Sequence, residues 1–333
     1  MNALLRRLRL DPYILAIMAT VVVATFVPAR GWGREILDYG VYAAIAVLFF
    51  IYGARISPQA MWQGLTHWRL QGLVFLTTYV VFPIIGFVVV AIFGRFLDAN
   101  LATGLLFVCL LPSTVQSSIA FTSIARGNVP AALCSASVSN LAGIVLTPLL
   151  AAVFLTTQSG GISTAAVTDI ALQILLPFAV GQVARPLIGN WLARHKTLTM
   201  IVDRGSILLV VYAAFSAGVV AGIWSLVSPQ SLVLVLVLDF VILALVLAFT
   251  AAASRLLGFS KEDEIAIVFC GSKKSMASGL PMANIIFATG TVGLIVLPLM
   301  LFHQMQLMVC ASLARRYSLR ASEDGPAVEG ARS

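Results

Sequence analysis

The segment AIVFCGSKKSMASGLPMANIIF, residues 266–287, carries two adjacent lysines inside an otherwise apolar run. A lysine at the centre of a membrane span costs about 3 kcal/mol on insertion scales, so Lys273 and Lys274 indicate a functional site. Gly271 and Pro281 weaken the helix around them. We therefore predict a discontinuous membrane helix whose unwound centre lines a cavity.

The composition indicates a helical membrane protein. Of the 333 residues, 60% are hydrophobic and 10% are charged, and the mean hydropathy is +1.01. Apolar runs of about 20 residues recur along the chain, which predicts a polytopic bundle, and they lack the period-two alternation of a β-barrel. The four cysteines and three histidines lack the spacing of a disulfide framework or a metal site, so no cofactor is predicted.

Ten spans are predicted, and their alternation brings most basic residues to one side. They are residues 12–28, 36–52, 70–93, 101–125, 130–155, 165–188, 206–224, 232–257, 265–288 and 292–313. The net charge of +8 arises mainly from short loops on that side, which favours a topological role over nucleic-acid binding. We expect a multi-pass protein of the cell inner (plasma) membrane, embedded in the lipid bilayer, with both termini cytoplasmic.

The spans divide into two halves of five, residues 1–158 and 159–316, followed by a disordered cytoplasmic tail, residues 317–333. An odd number of spans per half makes a repeat an inverted one. The fourth span contains LLFVCLLPSTVQSSIAF from Leu105, and the ninth contains IVFCGSKKSMASGLP from Ile267. Because matching interruptions in two halves indicate the binding site of a transporter, we predict the site at these two breaks.

Polar residues around Pro112 form the first candidate site. Their hydroxyls, an amide and freed carbonyls are able to ligate a cation or an anionic substrate. Alternatively, serine and threonine bond back to the preceding turn while Pro112 only kinks the helix. The serines of the fifth span are equally consistent with close helix packing, and Asn140 is the better ligand candidate there. The candidates of this half are Ser113, Gln116, Ser117, Ser118, Ser135, Ser139 and Asn140.

The ninth span and its neighbours supply the second set of candidates. Adjacent lysines point about 100° apart on a helix, so both need not face the site. The alternative to a site role is that the two lysines lie in a surface loop between two helical pieces. Asp239, in the eighth span, either pairs with a lysine of the ninth or lies near the interface. His303 and two glutamines of the tenth span either line the cavity or bond between helices. The candidates of this half are Asp239, Ser272, Lys273, Lys274, Ser275, Ser278 and His303.

The sequence contains no nucleophile–base–acid constellation, P-loop or nucleotide fingerprint, so it predicts no enzyme activity. Without an ATP site, uphill transport has to use an ion gradient. Three functions remain open: a secondary transporter, a cation/proton antiporter whose exchanging unit is a lysine paired with Asp239, and a non-transporting membrane regulator or partner subunit. No oligomeric state is predicted.

The run from Pro112 through Ala125-Arg126-Gly127-Asn128-Val129 to Thr147-Pro148-Leu149-Leu150 resembles the bile acid:sodium symporter family, as does Ser278-Gly279-Leu280. Tyr52-Gly53-Ala54-Arg55-Ile56 and Cys270-Gly271-Ser272-Lys273-Lys274-Ser275 resemble one branch, the bile-acid-symporter-like proteins, which have a vertebrate solute-carrier member and bacterial relatives. The similarity covers roughly residues 10–315.

The resemblance implies two inverted five-helix repeats in which broken helices four and nine cross. It implies a core domain of helices 3–5 and 8–10, a panel domain of helices 1, 2, 6 and 7, and alternating-access transport of a small organic anion between them. It places candidate Na⁺ ligands at Ser117, Ser118 and Asn140. Better-known members have a Glu and a Gln near the second break, whereas this chain has Lys273 and Lys274. An ammonium is therefore expected to replace at least one Na⁺, leaving H⁺, fewer Na⁺ or no ion to couple transport.

Overall fold

The structure is all-helical over the residues that it describes. The computed structural model describes residues 12–55, 67–159, 171–222, 227–287 and 290–323. The helices are α1 Pro12–Phe26, α2 Trp32–Arg55, α3 Trp68–Leu76, α4 Phe82–Phe93, α5 Ala99–Leu110, α6 Gln116–Ile124, α7 Val129–Ser159, α8 Leu176–Arg194, α9 Lys196–Val220, α10 Pro229–Leu256, α11 Lys261–Gly271, α12 Met276–Ile286 and α13 Val292–Glu323. A π-helical turn, Thr77–Val81, joins α3 to α4, another, Ala171–Leu175, precedes α8, and a 3₁₀ turn, Gly94–Phe96, follows α4.

Seven of these helical segments are long and apolar enough to cross a bilayer, which confirms a multi-pass membrane protein. They are Trp32–Arg55, Trp68–Phe96, Val129–Leu155, Leu172–Arg194, Thr197–Val220, Pro229–Leu256 and Val292–Leu319. Leu15–Phe26 and Ala99–Leu110 are shorter apolar helices. The count of ten spans and their inverted repeat stay predictions.

The chain is interrupted at both positions that the sequence singled out. The first interruption, Leu111 to Val115, separates α5 from α6, and the second, Ser272 to Ser275, separates α11 from α12. Leu111 is extended, so the chain leaves α5 directly into the proline that follows. The two interruptions, with the helices on either side of them, position the candidate site.

Serine caps start the three helices around the second interruption. Ser228, Ser260 and Ser275 each accept a hydrogen bond from the backbone N–H three residues ahead, at the starts of α10, α11 and α12. Each cap satisfies one of the N–H groups that a helix leaves without an internal partner. The Ser275 cap therefore restarts the helix immediately after the lysines.

The helices pack in two groups. Helices α1, α2, α8 and α9 pack on one another, as do α3 to α7 with α10 to α13. In the first group, α2 and α8 touch backbone to backbone, since a methyl group at Gly53 would meet the carbonyl of Phe178 and one at Gly181 that of Phe50. The two groups meet mainly where α9 packs on α12 and α13.

The last helix is longer than the sequence analysis predicts. Helix α13 continues to Glu323, so the first part of the predicted tail, residues 317–323, is helical. The physical reason is that Tyr317 is buried and its hydroxyl donates to Glu264 Oε1 at 3.0 Å, which anchors this turn to α11. Residues 324–333 lie outside the described residues.

Candidate substrate and ion site at the helix crossing

The two interruptions contact each other directly through their backbones. The amide of Ser275 donates a hydrogen bond to the carbonyl oxygen of Pro112 at 2.8 Å. The carbonyls of Pro112 and its neighbours have no partner within a helix, because the α-helix cannot continue through the proline. The unwound segments therefore cross inside the protein, and Ser113 and Ser272 in them are fully buried.

Hydroxyl groups near the first interruption satisfy carbonyls at the end of α11. Ser113 Oγ donates to the carbonyl of Cys270 at 2.6 Å, and Ser118 Oγ donates to that of Phe269 at 3.0 Å. The last carbonyls of a helix have no partner within it, and here they face away from water. These two serines therefore join α6 and its preceding loop to α11.

The side chain of Lys274 bonds to carbonyls at the end of α5 and to one carbonyl of the π-helical turn. Its Nζ donates to the carbonyl oxygens of Cys109 at 2.9 Å, Leu111 at 2.7 Å and Thr78 at 2.9 Å. Three acceptors require three N–H donors, which an ammonium has and a neutral amine lacks. The ring of Phe82 lies 4.0 Å from the same nitrogen and adds a cation–π contact. Lys274 is thus a buried cation held by backbone dipoles.

The π-helical turn between α3 and α4 contributes to this arrangement. A π turn shifts the backbone hydrogen bonds and is frequent at functional sites. Here the carbonyl of Thr78, within the turn, accepts from Lys274, and the hydroxyl of Tyr79 donates to the carbonyl of Ser139. The turn therefore links the third helix of the chain to both the second interruption and α7.

Gln306 holds the backbone of Lys274 from α13. Its Oε1 accepts from the Lys274 amide at 2.8 Å and its Nε2 donates to the Lys274 carbonyl at 2.9 Å. His303 Nδ1 lies 2.9 Å from the same Nε2. His303 therefore belongs to the support of the lysine, and Gln306, one of the two glutamines noted in the tenth span, is its main element.

Lys273 has a different environment from its neighbour. Its side chain is fully buried, and its Nζ has no hydrogen-bond partner. The rings of Phe121 and Phe269 lie 4.2 and 5.3 Å from the nitrogen. The two lysines thus point to different sides of the crossing, Lys274 toward α5 and the π turn and Lys273 toward α6 and α11.

The other polar candidates of the first half fall in several places. Ser139 Oγ accepts from the Ser113 amide at 3.0 Å, so it supports the first interruption. Ser135 is buried without a hydrogen-bond partner for its hydroxyl. Gln116 is exposed, because it is the first residue of α6 and its side chain points away from the crossing. Its part in the candidate site stays a prediction.

Ser272 and Ser275 bond within the second interruption and its adjoining helices, whereas Ser278 in α12 bonds to another helix. Ser272 Oγ donates back to the carbonyl of Val268 at 2.6 Å. Ser275 Oγ accepts from the Ser278 amide at 3.2 Å and caps α12. Ser278 Oγ in turn donates to Asn140 Oδ1 at 2.8 Å, which joins α12 to α7.

Of the two alternatives for Asp239, the ion pair with a lysine of the ninth span is not present. Asp239 is fully buried on α10, and neither of its carboxylate oxygens has a hydrogen-bond partner. Within the described residues, the ion pairs are Arg34–Asp38, Arg255–Glu264 and Lys261–Glu264. The physical reason is that the ammonium of Lys274 is already taken up by three carbonyls and that Lys273 points toward α6.

The three candidate sodium ligands do not form one set of ligands. Ser118 donates to α11, Asn140 Oδ1 accepts from α12, and Ser117 Oγ is paired with Thr114 Oγ1 at 2.5 Å. Hard cations prefer several oxygens that converge on one point, usually with a carboxylate among them. The described part of the chain has no cluster of three acidic, histidine or cysteine side chains able to hold a metal ion, and a Lys274 ammonium already adds positive charge here. Each of the three side chains is thus bonded to another protein group, and a Na⁺ site formed by them stays a prediction.

Glu264 organises the end of α11 that lies beyond the crossing. Its carboxylate accepts from Arg255, from Lys261 at 2.9 Å and from Tyr317, which joins α10, α11 and α13. Burial opposes its ionisation, but these hydrogen bonds outweigh burial and hold the pKa of the carboxyl below its usual value. A lowered pKa means that this stabilisation is present at neutral pH and is lost as the pH falls through that pKa.

Comparison with known proteins identifies relatives over nearly the whole chain. Residues 11–319 match the SBF-like CPA transporter family. An uncharacterized protein of Pseudomonas aeruginosa is 52% identical over 324 residues, 97% of each chain. The Escherichia coli protein YfeH, which is named as a proposed symporter, is 49% identical over 314 residues, 94% of this chain and 95% of its own. Sodium/bile acid cotransporter 7-B of Xenopus laevis is 30% identical over 312 residues, 92% of this chain and 91% of its own.

These matches confirm the resemblance inferred from the segments around Pro112 and the lysines. The family match includes helices α1 to α12 and the part of α13 up to residue 319. The Escherichia coli relative is named as a proposed symporter and the Xenopus laevis relative as a sodium/bile acid cotransporter, in agreement with a multi-pass membrane protein of a transporter family.

Proposed function

Because the chain belongs to the SBF-like CPA transporter family, we propose that it is a secondary active transporter of a small organic anion, working by alternating access in the bacterial inner membrane. Its positive-inside charge pattern supports cytoplasmic termini. The helix order is consistent with ten spans in two inverted halves, in which α5–α6 and α11–α12 each count as one broken span.

The single observation that carries this proposal is the ammonium of Lys274 at the helix crossing. It is buried and bonded to three carbonyls, and no carboxylate in the described part of the chain pairs with it. A fixed positive charge inside a membrane protein favours an anion nearby, because the pair costs less to bury than the cation alone. The N-terminal end of α12 adds the positive end of a helix dipole beside the same lysine.

The same ammonium supports a change of coupling ion. A sodium ion in a helical transporter is held by unwound backbone carbonyls and side-chain oxygens, and Lys274 already occupies three such carbonyls. We therefore propose that Lys274 takes the place of a bound Na⁺. Transport is then coupled to H⁺ or proceeds without a coupling ion.

The packing of the helices supports a moving boundary for alternating access. The packing of α1, α2, α8 and α9 on one another supports a panel domain, and the packing of the remaining helices supports a core domain. The panel is stiffened by the close approach of Gly53 and Gly181 to the facing helix. Substrate would be held between the groups, near the contact of α9 with α12.

The alternative of a cation/proton antiporter lacks its defining feature, since Asp239 pairs with neither lysine. Nothing in the described residues favours a non-transporting regulator over a transporter. Enzyme activity has no support in the site, whose polar groups bond to backbone and to one another.

The proposal is tested with purified protein in proteoliposomes. Uptake of labelled taurocholate, benzoate and succinate is measured in Na⁺ or choline, with and without an inward pH gradient. We expect uptake of at least one anion that does not respond to Na⁺ and that is lost in Lys274→Met. The matched control is Lys196→Met, a lysine in the first turn of α9, outside the crossing. Uptake driven by a Na⁺ gradient in wild type would contradict the role given to Lys274, and absence of flux for every anion would contradict the transporter.

A further inference from the structure

We infer that the two adjacent lysines hold different protonation states: Lys274 is a permanent ammonium, and Lys273 is the group that binds and releases a proton. The role of that proton in transport rests on the proposed function. The two protonation states rest on the geometry of the crossing alone.

The permanent charge of Lys274 follows from its hydrogen bonds. Its nitrogen donates to Thr78, Cys109 and Leu111, and each of these carbonyls depends on it. A neutral amine has two N–H groups, so deprotonation would leave one buried carbonyl unsatisfied and turn a lone pair toward the others. The crossing therefore holds this proton as long as the helices stay in place.

The labile proton of Lys273 follows from the absence of such partners. Its nitrogen is buried without any hydrogen-bond acceptor, between the faces of Phe121 and Phe269. Aromatic faces attract an ammonium, but they do not replace the three hydrogen bonds that water supplies to it. The neutral amine is therefore the stable form in this closed arrangement, and the ammonium becomes stable when the crossing opens to water.

The groups around Lys273 supply no fixed counter-charge. Its titratable neighbours are the thiols of Cys270, on the preceding turn, and Cys310, on α13. Helix α6 carries no titratable side chain. No carboxylate within the described residues forms an ion pair with Lys273.

The acids and bases on the remaining packed helices are engaged elsewhere or lie apart from Lys273. Glu264 on α11, Arg255 on α10 and Tyr317 on α13 bond to one another. Asp239 on α10 is no ion-pair partner of Lys273, Arg69 on α3 bonds to the Leu257 carbonyl, and Cys134 on α7 is a thiol. The charge of Lys273 is thus set mainly by whether water reaches it.

Lys273 would take up one proton from water when the crossing is open to one side of the membrane, and return it to water when the crossing is open to the other side. Each cycle would then move one proton down the pH gradient, while Lys274 keeps the crossing charged for the anion. No bond other than the N–H of Lys273 is made or broken, and water is the proton donor and acceptor.

The protonation states are measured directly, because the chain has only four lysines: Lys196, Lys261, Lys273 and Lys274. Protein labelled with ¹³C and ¹⁵N only at lysine is placed in liposomes and followed by solid-state NMR from about pH 6 to about pH 9. The signals of Lys196 and Lys261 are assigned with Lys196→Arg and Lys261→Arg, so neither crossing lysine has to be changed. Lys273→Met then separates the remaining two.

We expect one crossing lysine to keep the ammonium shift over the whole range, and the other to show an amine shift at high pH that moves to the ammonium shift on acidification. The moving signal should be the one lost in Lys273→Met. Two fixed ammonium signals, or a moving signal that survives Lys273→Met, would overturn the inference. If Lys273→Met does not fold, Lys273→Gln makes the same assignment.

A transport assay tests the coupling role of Lys273 independently of the NMR titration. In proteoliposomes, Lys273→Met should abolish the stimulation of anion uptake by a pH gradient. If the NMR titration is as expected but wild type shows no flux, the protonation assignment stands and the proposed transport function fails. If wild type transports and pH-gradient stimulation survives in Lys273→Met, the coupling role fails.

Discussion

The two interruptions solve the same structural problem with different chemistry. Near the first, the neutral hydroxyls of Ser113 and Ser118 satisfy the carbonyls that α11 leaves open. At the second, the ammonium of Lys274 satisfies the carbonyls that α5 leaves open. Either donor removes the cost of unpaired backbone in a broken helix, but only the second brings a charge to the middle of the protein.

This difference separates what the crossing needs for folding from what it needs for function. At the end of α11, neutral hydroxyls are sufficient donors, as Ser113 demonstrates at 2.6 Å from the Cys270 carbonyl. Burying an ammonium costs more free energy than burying a hydroxyl, so we expect one where its charge contributes to function. The comparison therefore predicts that changes at the second interruption affect stability and anion handling together, whereas changes at the first affect stability.

Lys274→Met is expected to have the largest effect. It leaves three buried carbonyls without a donor, which by the usual cost of unsatisfied groups lowers the free energy of unfolding by about 3–5 kcal/mol. The measurement is unfolding by dodecyl sulfate in mixed micelles, followed by tryptophan fluorescence. A loss below about 1 kcal/mol would mean that water or another donor replaces the ammonium, and would break the comparison.

Gly143→Ala tests the first interruption by packing alone. A methyl group at this position of α7 would lie 2.6 Å from Cβ and 2.7 Å from Cγ of Pro112, whose ring cannot move aside. We expect a loss of about 1–3 kcal/mol in the same unfolding assay. Gly205→Ala in α9 is the matched control, since nothing lies within 4 Å of the added methyl, and it should be neutral or slightly stabilising. Equal effects at both glycines would show that Pro112 is not held by α7.

Ser113→Ala measures what a neutral donor contributes. It removes the hydrogen bond to the Cys270 carbonyl and leaves that carbonyl buried, so a loss of about 1 kcal/mol is expected. Ser272→Ala is the control, because the Ser272 hydroxyl donates back to the Val268 carbonyl one turn earlier and not to a carbonyl of another helix. If Ser113→Ala lowered the free energy of unfolding as much as Lys274→Met, the charge of the lysine would not stabilise the crossing more than a neutral donor does.

Both helix breaks were predictable from the sequence, and the partners of the side chains within them were not. Pro112 and the two lysines are local signals, because a proline or a charge disfavours a continuous membrane helix wherever the chain folds. The carbonyls that Lys274 contacts belong to Thr78, Cys109 and Leu111, far away in sequence. Every residue has a backbone carbonyl, so the sequence does not indicate which carbonyls will accept the hydrogen bonds of Lys274.

The same limit applies to Asp239 and Gln116. Opposite charges in neighbouring spans suggest a pair, but the pair forms only if the side chains face each other, and Lys274 turns toward α5 instead. Gln116 lies among candidate ligands in sequence, yet the first turn of α6 rotates it outward. Gln306 was visible as a polar residue in an apolar span, while its two bonds to the Lys274 backbone depend on how α13 packs.

Lys273→Met is expected to have the smallest effect on stability, with a sign opposite to that of its neighbour. Methionine has a similar length and fills the same space between Phe121 and Phe269, and it removes a buried nitrogen that has no hydrogen-bond partner. Replacing a buried polar group that lacks partners by an apolar one is neutral or stabilising, so the free energy of unfolding should change by less than about 1 kcal/mol or increase. The adjacent variant Lys274→Met is the control in the same assay. A large loss at Lys273 would mean that its ammonium has an acceptor in the closed state, and the two lysines would then share one role.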